Sequence, residues 1–97
     1  MRISKCSTFC ELIKRRRLQL ALHSYIYYEL NDNVISDHQW QTWAQELIVL
    51  QEQHPNHTDK LDVYFKGWDG TTGFHLCAIP DIGSRATTVR RYAYEQA

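Results

Sequence analysis

The densest charge in this 97-residue chain is Lys14-Arg15-Arg16-Arg17. The chemistry open to such a run is contact with phosphate, either of a bound nucleotide or of a nucleic-acid backbone. On a helix successive residues are turned by about 100°, so the four side chains fan around most of the circumference and make no single stripe. A solvated opening of a helix accounts for the run, with phosphate contact as the sharper alternative. Gln19, His23 and Tyr27 follow at four-residue intervals and form a polar flank on one helical face. Cys6, Cys10 and Cys77, with five histidines, raise the question of a metal. There is no C-x-x-C or H-x-x-x-H pair to hold one, and no metal site is expected. An odd number of cysteines argues for reduced thiols. Acid–base pairs can be drawn from Asp37, His38, His54, His57 and Asp59. Cys77 and His75 would share a face if they lay on a strand. Neither set comes with an orienting third group, and no catalytic residue is assigned.

The elements that must position these groups are legible in the hydrophobic spacing. Leu18, Leu22, Ile26 and Leu30 recur every four residues, which predicts a helix over about 10–31 with one buried face. Trp40, Trp43, Ala44, Leu47 and Leu50 predict a second over about 36–54. Ser36 is its N-cap, because a serine hydroxyl can accept a hydrogen bond from an unpaired first-turn N–H. Asn31-Asp32-Asn33 favours a turn between them, and the product is an antiparallel helical hairpin over about 10–55.

From Leu61 the composition turns β-branched and aromatic, and 61–65 and 73–79 read as two strands joined by a turn at Asp69-Gly70. Thr, Val and Tyr in 87–94 favour a third strand over a terminal helix. The fold class expected is therefore α+β: an N-terminal antiparallel helical hairpin followed by a small antiparallel β-element over about 61–94, in a single domain, 1–97.

This length allows one core. Formal net charge is zero, so no global field draws the chain to nucleic acid or acidic lipid, and neither is an expected partner. No apolar run approaches the ~20 residues of a membrane span, and MRISKCSTFC lacks the apolar centre of a signal peptide. A cytoplasmic location is the expectation.

Tyr27-Tyr28-x-Leu30, then Ile35-Ser36-Asp37, Glu46-Leu47, Leu50 and finally His54-Pro55 resemble a known family in order and spacing. It is the N-terminal helical subdomain of the bacterial NAD-dependent DNA ligases, whose pattern runs YYxLDxPxISDxEYDxLxxEL and then LExxHP. The resemblance covers about residues 25–55. It implies a hairpin that grips the nicotinamide mononucleotide (NMN) half of NAD while the next domain is adenylated on a lysine. Tyr27, Tyr28 and Asp37 match the pattern. Asn31 and Gln41 stand where the family has aspartates, Trp40 where it has tyrosine, and Asn33 where it has proline. Asn56-His57-Thr58-Asp59 replaces TPDSPT.

Carried over residue by residue, the resemblance implies that a nicotinamide ring stacks on Tyr27, Tyr28 or Trp40. Asp37 would contact ribose or amide, and Arg15 or Arg16 would reach a phosphate. The flank bearing His23 ends at the same place. Lys66-Gly67-Trp68-Asp69-Gly70 superficially resembles the family's adenylated KxDG, with one residue too many and too close to His54-Pro55. The chain has no room for a ligase's nucleotidyltransferase, OB-fold and DNA-binding parts. The function expected is that of a non-catalytic small binding protein that requires no cofactor and takes NMN, NAD or a related nucleotide as ligand. The alternative is an inhibitor or adaptor of the kind phages and mobile elements encode, using the hairpin as a scaffold for a protein partner.

Overall fold

The computed structural model describes residues 7–96; Cys6 lies outside them. Helix α1 (Ser7–Tyr28) is followed by α2 (Asp37–Gln53), a single helical turn α3 (Asp62–Phe65), a 3₁₀ turn at Phe74–Ala78, and α4 (Ile82–Gln96). The hairpin is present as the spacing predicts. Phe9 stacks on His54, Arg16 pairs with Glu46 and Ser24 meets Trp40, so α1 and α2 run antiparallel.

Local chemistry explains both ends of the connection. Asn31 adopts a left-handed backbone, φ 53°, which asparagine tolerates better than most residues. The Asp32 N–H then reaches back to the Ile26 carbonyl at 3.1 Å, closing the last turn of α1. Ser36 has the extended backbone of an N-cap, and its hydroxyl accepts from the Gln39 N–H at 3.0 Å. At the far end the His54 N–H closes on the Leu50 carbonyl, and Pro55 cannot continue the helix.

The expected β-element is not there: among the described residues no strand forms, and 61–94 is helical or looped. The spacing of apolar residues explains the correction. Ile82, Ala86 and Val89 lie at i, i+4 and i+7, so one helical face carries all three, whereas a strand would turn Val89 to the opposite side. Ile82 and Ala86 are buried and Val89 packs against the core they belong to. Strand preference spans only ~1 kcal/mol, less than the roughly 1.5–3 kcal/mol gained on burying one isoleucine. Thr87 and Thr88 turn their hydroxyls onto the carbonyls of Gly83 and Ser84 and are accommodated in the helix. Leu61, Tyr64, Phe65 and Trp68 follow the same helical rhythm, and Leu76 and Ile79 sit one 3₁₀ turn apart. His75 and Cys77 therefore do not share a strand face. Asp69 accepts from the Thr71 N–H and hydroxyl, a local side-chain turn in place of the expected hairpin turn.

α1 is the element the others pack on: α2, α4 and the 3₁₀ turn all contact it. Ile13, Leu20, Ala21, Leu22, Ser24 and Ile26 are consequently buried on more than one face of a helix expected to bury a single stripe. No helix among the described residues is long and apolar enough to cross a membrane.

Candidate functional site

A cleft of about 480 Å³ opens where α1 ends and α2 begins. Its walls are the last turns of α1, the 32–37 connection, the first turns of α2 and the 70–73 loop. His23, Tyr27, Tyr28, Asp37 and Trp40 all line it.

Each wall residue is set by a specific contact. Tyr27 and Tyr28 meet edge-to-face with centroids 4.9 Å apart, and Tyr28 meets Phe74 in the same way at 5.2 Å. The Tyr28 hydroxyl lies 3.3 Å from the Thr72 hydroxyl, and Tyr27 is half exposed. Trp40 is fixed more tightly. Its indole N–H donates to the buried Ser24 hydroxyl at 3.2 Å and its ring abuts Trp68. The loop can approach this pair because residue 73 is glycine: a Cβ there would stand 2.1 Å from Ser24 Oγ and 2.9 Å from the Trp40 ring. Trp68 steadies the same loop by donating to the Thr72 carbonyl at 2.7 Å.

The lining is acidic. It includes Asp32 and Asp37 and contains neither lysine nor arginine. Asp37 is exposed in the first turn of α2 and has no ion-pair partner among the described residues. Asp32 is tied to α4 by Tyr94 and Arg90, and it also accepts from the Asn33 N–H. The Tyr94 hydrogen bond above all, then the Asn33 N–H and Arg90, hold its carboxyl below the ordinary aspartate range. His23 is half-buried against Trp43 with Nδ1 unpartnered, and burial lowers its pKa, so the ring is neutral near pH 7. Flat aromatic faces, an unpaired carboxylate and no cation describe a place for a planar, electron-poor or cationic ring.

Against curated proteins, the chain is 42% identical over 53 residues to a DNA ligase of Bacteroides fragilis and 40% identical over 53 residues to a DNA ligase of Phocaeicola vulgatus. The chain contains a DNA ligase-like segment. The match takes in 55% of this chain, which spans 8% of the length of either relative. No family model and no solved structure matches.

Away from the cleft, the basic run of α1 divides three ways. Arg15 lines a different groove. Arg16 donates to Glu46 at 2.7 Å and Gln19 at 2.6 Å, with its guanidinium over Trp43. Neither arginine lines the cleft. Arg17 is buried: it donates to Gln51 at 2.9 Å, Asp59 at 3.0 Å and Asp62 at 2.5 Å, and covers the Phe65 ring. His57 completes this clamp at 2.6 Å from Asp59. Burial works against the Asp59 carboxylate, but His57, the Leu61 N–H and Arg17 outweigh it and hold the pKa low. Among the described residues, no group of three or more His, Cys, Asp and Glu is arranged to hold a metal.

Sequence reasoning does not single out Ser24, Asp32, Thr72 or Gly73 for the cleft. Ser24 lies about 200° round the helix from Leu22 and about 160° from Ile26, on the side that a single buried stripe would leave exposed, so the spacing carries no signal for its burial. Gly73 has none either: its role depends on a loop approach that residue spacing does not encode.

Proposed function

We propose that the cleft binds the nicotinamide-ribose part of NMN or NAD and does no chemistry on it. Tyr27, Tyr28, Asp37 and Trp40, which the ligase pattern places at the nucleotide, converge on a single cleft. Charge supports it as well, because the oxidised nicotinamide ring is a flat cation and the lining holds Asp37, a carboxylate with no ion-pair partner among the described residues. The half-exposed Tyr27 offers the stacking face, Asp37 accepts from ribose hydroxyls or the carboxamide, and the phosphate points out of the acidic interior. Lys66 is not among the lining residues, so no lysine stands ready for adenylation there.

Calorimetry with NMN, NAD and ADP-ribose on wild type, Tyr27→Ala and Asp37→Asn tests this. NMN and NAD should release or absorb heat, and ADP-ribose, lacking the ring, should not. Stacking one base on an aromatic side chain is worth ~1–3 kcal/mol, so Tyr27→Ala should weaken binding about tenfold or more. Silence from all three ligands at millimolar concentration, with folded protein, rejects the site. Transfer of label from adenylate-labelled NAD to Lys66 would overturn the non-catalytic part.

A further inference from the structure

A second depression, about 1060 Å³, lies between the first half of α1, α3 and the start of α4, and it shares no lining residue with the cleft. Leu18, Leu61, Val63 and Tyr64 supply apolar surface within it, above the buried Ile79 and Ile82. Val63 is 73% exposed and extends this apolar surface to solvent. The rim is cationic. Lys14, Arg15, Lys60 and Arg85 stand around it, all exposed and none with a carboxylate partner among the described residues. Of the acids there, Asp59 is already held by Arg17 and His57, which leaves Glu11 and Asp81 against four cations.

An apolar floor inside a net positive rim is complementary to an amphipathic helix with acidic flanks. The space is also of the right scale, since two turns of helix about 10 Å across and 5.4 Å in pitch fill roughly 850 Å³. Residues 1–6 of this chain do not match it, for they carry Arg2 and Lys5 and no acid. We infer that this groove docks an acidic amphipathic helix of a partner protein, and that its separation from the cleft lets both be occupied together. Nucleic acid fits the surface less well: the floor is apolar, Glu11 and Asp81 interrupt the rim, and the chain's net charge is zero.

The test is panning of a random 16-residue peptide library displayed on phage against the whole protein, as a probe of ~16 residues spans about four helical turns. Counter-selection uses the Lys14→Glu/Arg15→Glu/Lys60→Glu/Arg85→Glu variant. These side chains are exposed and unpaired, so the fold should survive; circular dichroism and thermal melting check that it does. Val63→Asp, which leaves the rim intact, is a second variant. Enriched peptides should be net acidic, carry apolar residues at i, i+3, i+4 and i+7, and bind either variant at least about tenfold more weakly, the effect of losing ~1.4 kcal/mol. No enrichment, enrichment of neutral or basic peptides, or peptides that bind the variants as well as wild type would overturn the inference. So would tighter binding of a 20-nucleotide single strand or duplex that the charge reversal abolishes. None of these readouts depends on nicotinamide nucleotides, so failure here and failure of the cleft reading are separate results.

Discussion

Half-way along α1 one charge, that of Arg17, is held inside the protein, and beyond its C-terminal end another, that of Asp37, is left open. Arg17 spends its guanidinium inside, on Gln51, Asp59, Asp62 and the face of Phe65. Ten residues later Tyr27 and Tyr28 face a cleft whose Asp37 has no ion-pair partner among the described residues. The clamp joins α1 to the end of α2 and to the 59–62 connection, and a buried charge must be paired or it costs several kcal/mol. At the cleft Asp32 is tied to Arg90 and Tyr94, and Asp37 has no such closure. A charged residue's role follows from its neighbours in space: Arg15, Arg16 and Arg17 are consecutive, yet one rims a groove, one pairs at the surface and one is interior.

Removing the arginines one at a time should separate these roles. Arg17→Ala strands Asp59 in a poorly solvated site and should destabilise the fold by about 3–5 kcal/mol in urea titrations. Arg17→Lys should recover part of the loss, since an ammonium cannot reproduce the guanidinium fork. Arg15→Ala should change stability by no more than about 0.5 kcal/mol. Equal effects of Arg15→Ala and Arg17→Ala would show that the clamp is not what orders this end.

The cleft end has its own steric test. Gly73→Ala puts a methyl group against Ser24 Oγ and the Trp40 ring, both of which are packed in place. Overpacking of this kind costs about 1–3 kcal/mol. The loop should lift away, with a shift in tryptophan emission as Trp40 and Trp68 gain water. A Gly73→Ala protein with wild-type stability and spectrum would mean that the loop does not close down on Trp40.

Which parts of the molecule are legible in the sequence depends on which rule governs each residue. The hairpin is, because Leu22, Ile26, Ala44, Leu47 and Leu50 obey helical spacing and Ser36 is a serviceable cap. In 61–94 residue-type preference points to strands and spacing points to helix, and spacing wins. Ile82, Ala86 and Val89 hold the correct signal, and Thr87, Thr88 and Tyr92 mask it. Five of the cleft residues, His23, Tyr27, Tyr28, Asp37 and Trp40, are legible because they flank one connection in sequence. Asp32's tie to Arg90 and Tyr94 is not, because it joins residues about sixty positions apart that no local pattern links.

Acid should separate the two ends by titration. The folded pKa of Asp59 is depressed, so between that pKa and the unfolded value of about 3.9 the unfolded chain binds more protons. Its contribution is fully present above about pH 3.9 and is lost as pH falls through the folded pKa. Asp59→Asn should therefore flatten stability against pH in that acid window and leave the slope near neutrality unchanged. A wild-type curve equally flat there would dissociate Asp59 from the clamp.

The smallest expected effect belongs to His23, on the cleft side. Burial lowers its pKa below the usual value of about 6.5, so the folded protein resists a proton that the unfolded chain accepts. Its contribution to stability is complete above about pH 6.5 and declines as pH drops from there through the folded pKa. The loss should be modest beside that of Arg17→Ala, because one half-buried ring has only to gain a proton, whereas the arginine variant leaves a charge without its partner. His23→Leu should abolish the decline in thermal melts recorded between pH 7 and pH 5, a range set by the histidine's ordinary pKa. The same protonation would place a positive charge in the cleft wall, so nicotinamide-nucleotide affinity should fall over that range in wild type and stay level in His23→Leu. A decline that persists in His23→Leu would assign the titration to another group and leave the neutral ring without a part in setting the cleft's charge.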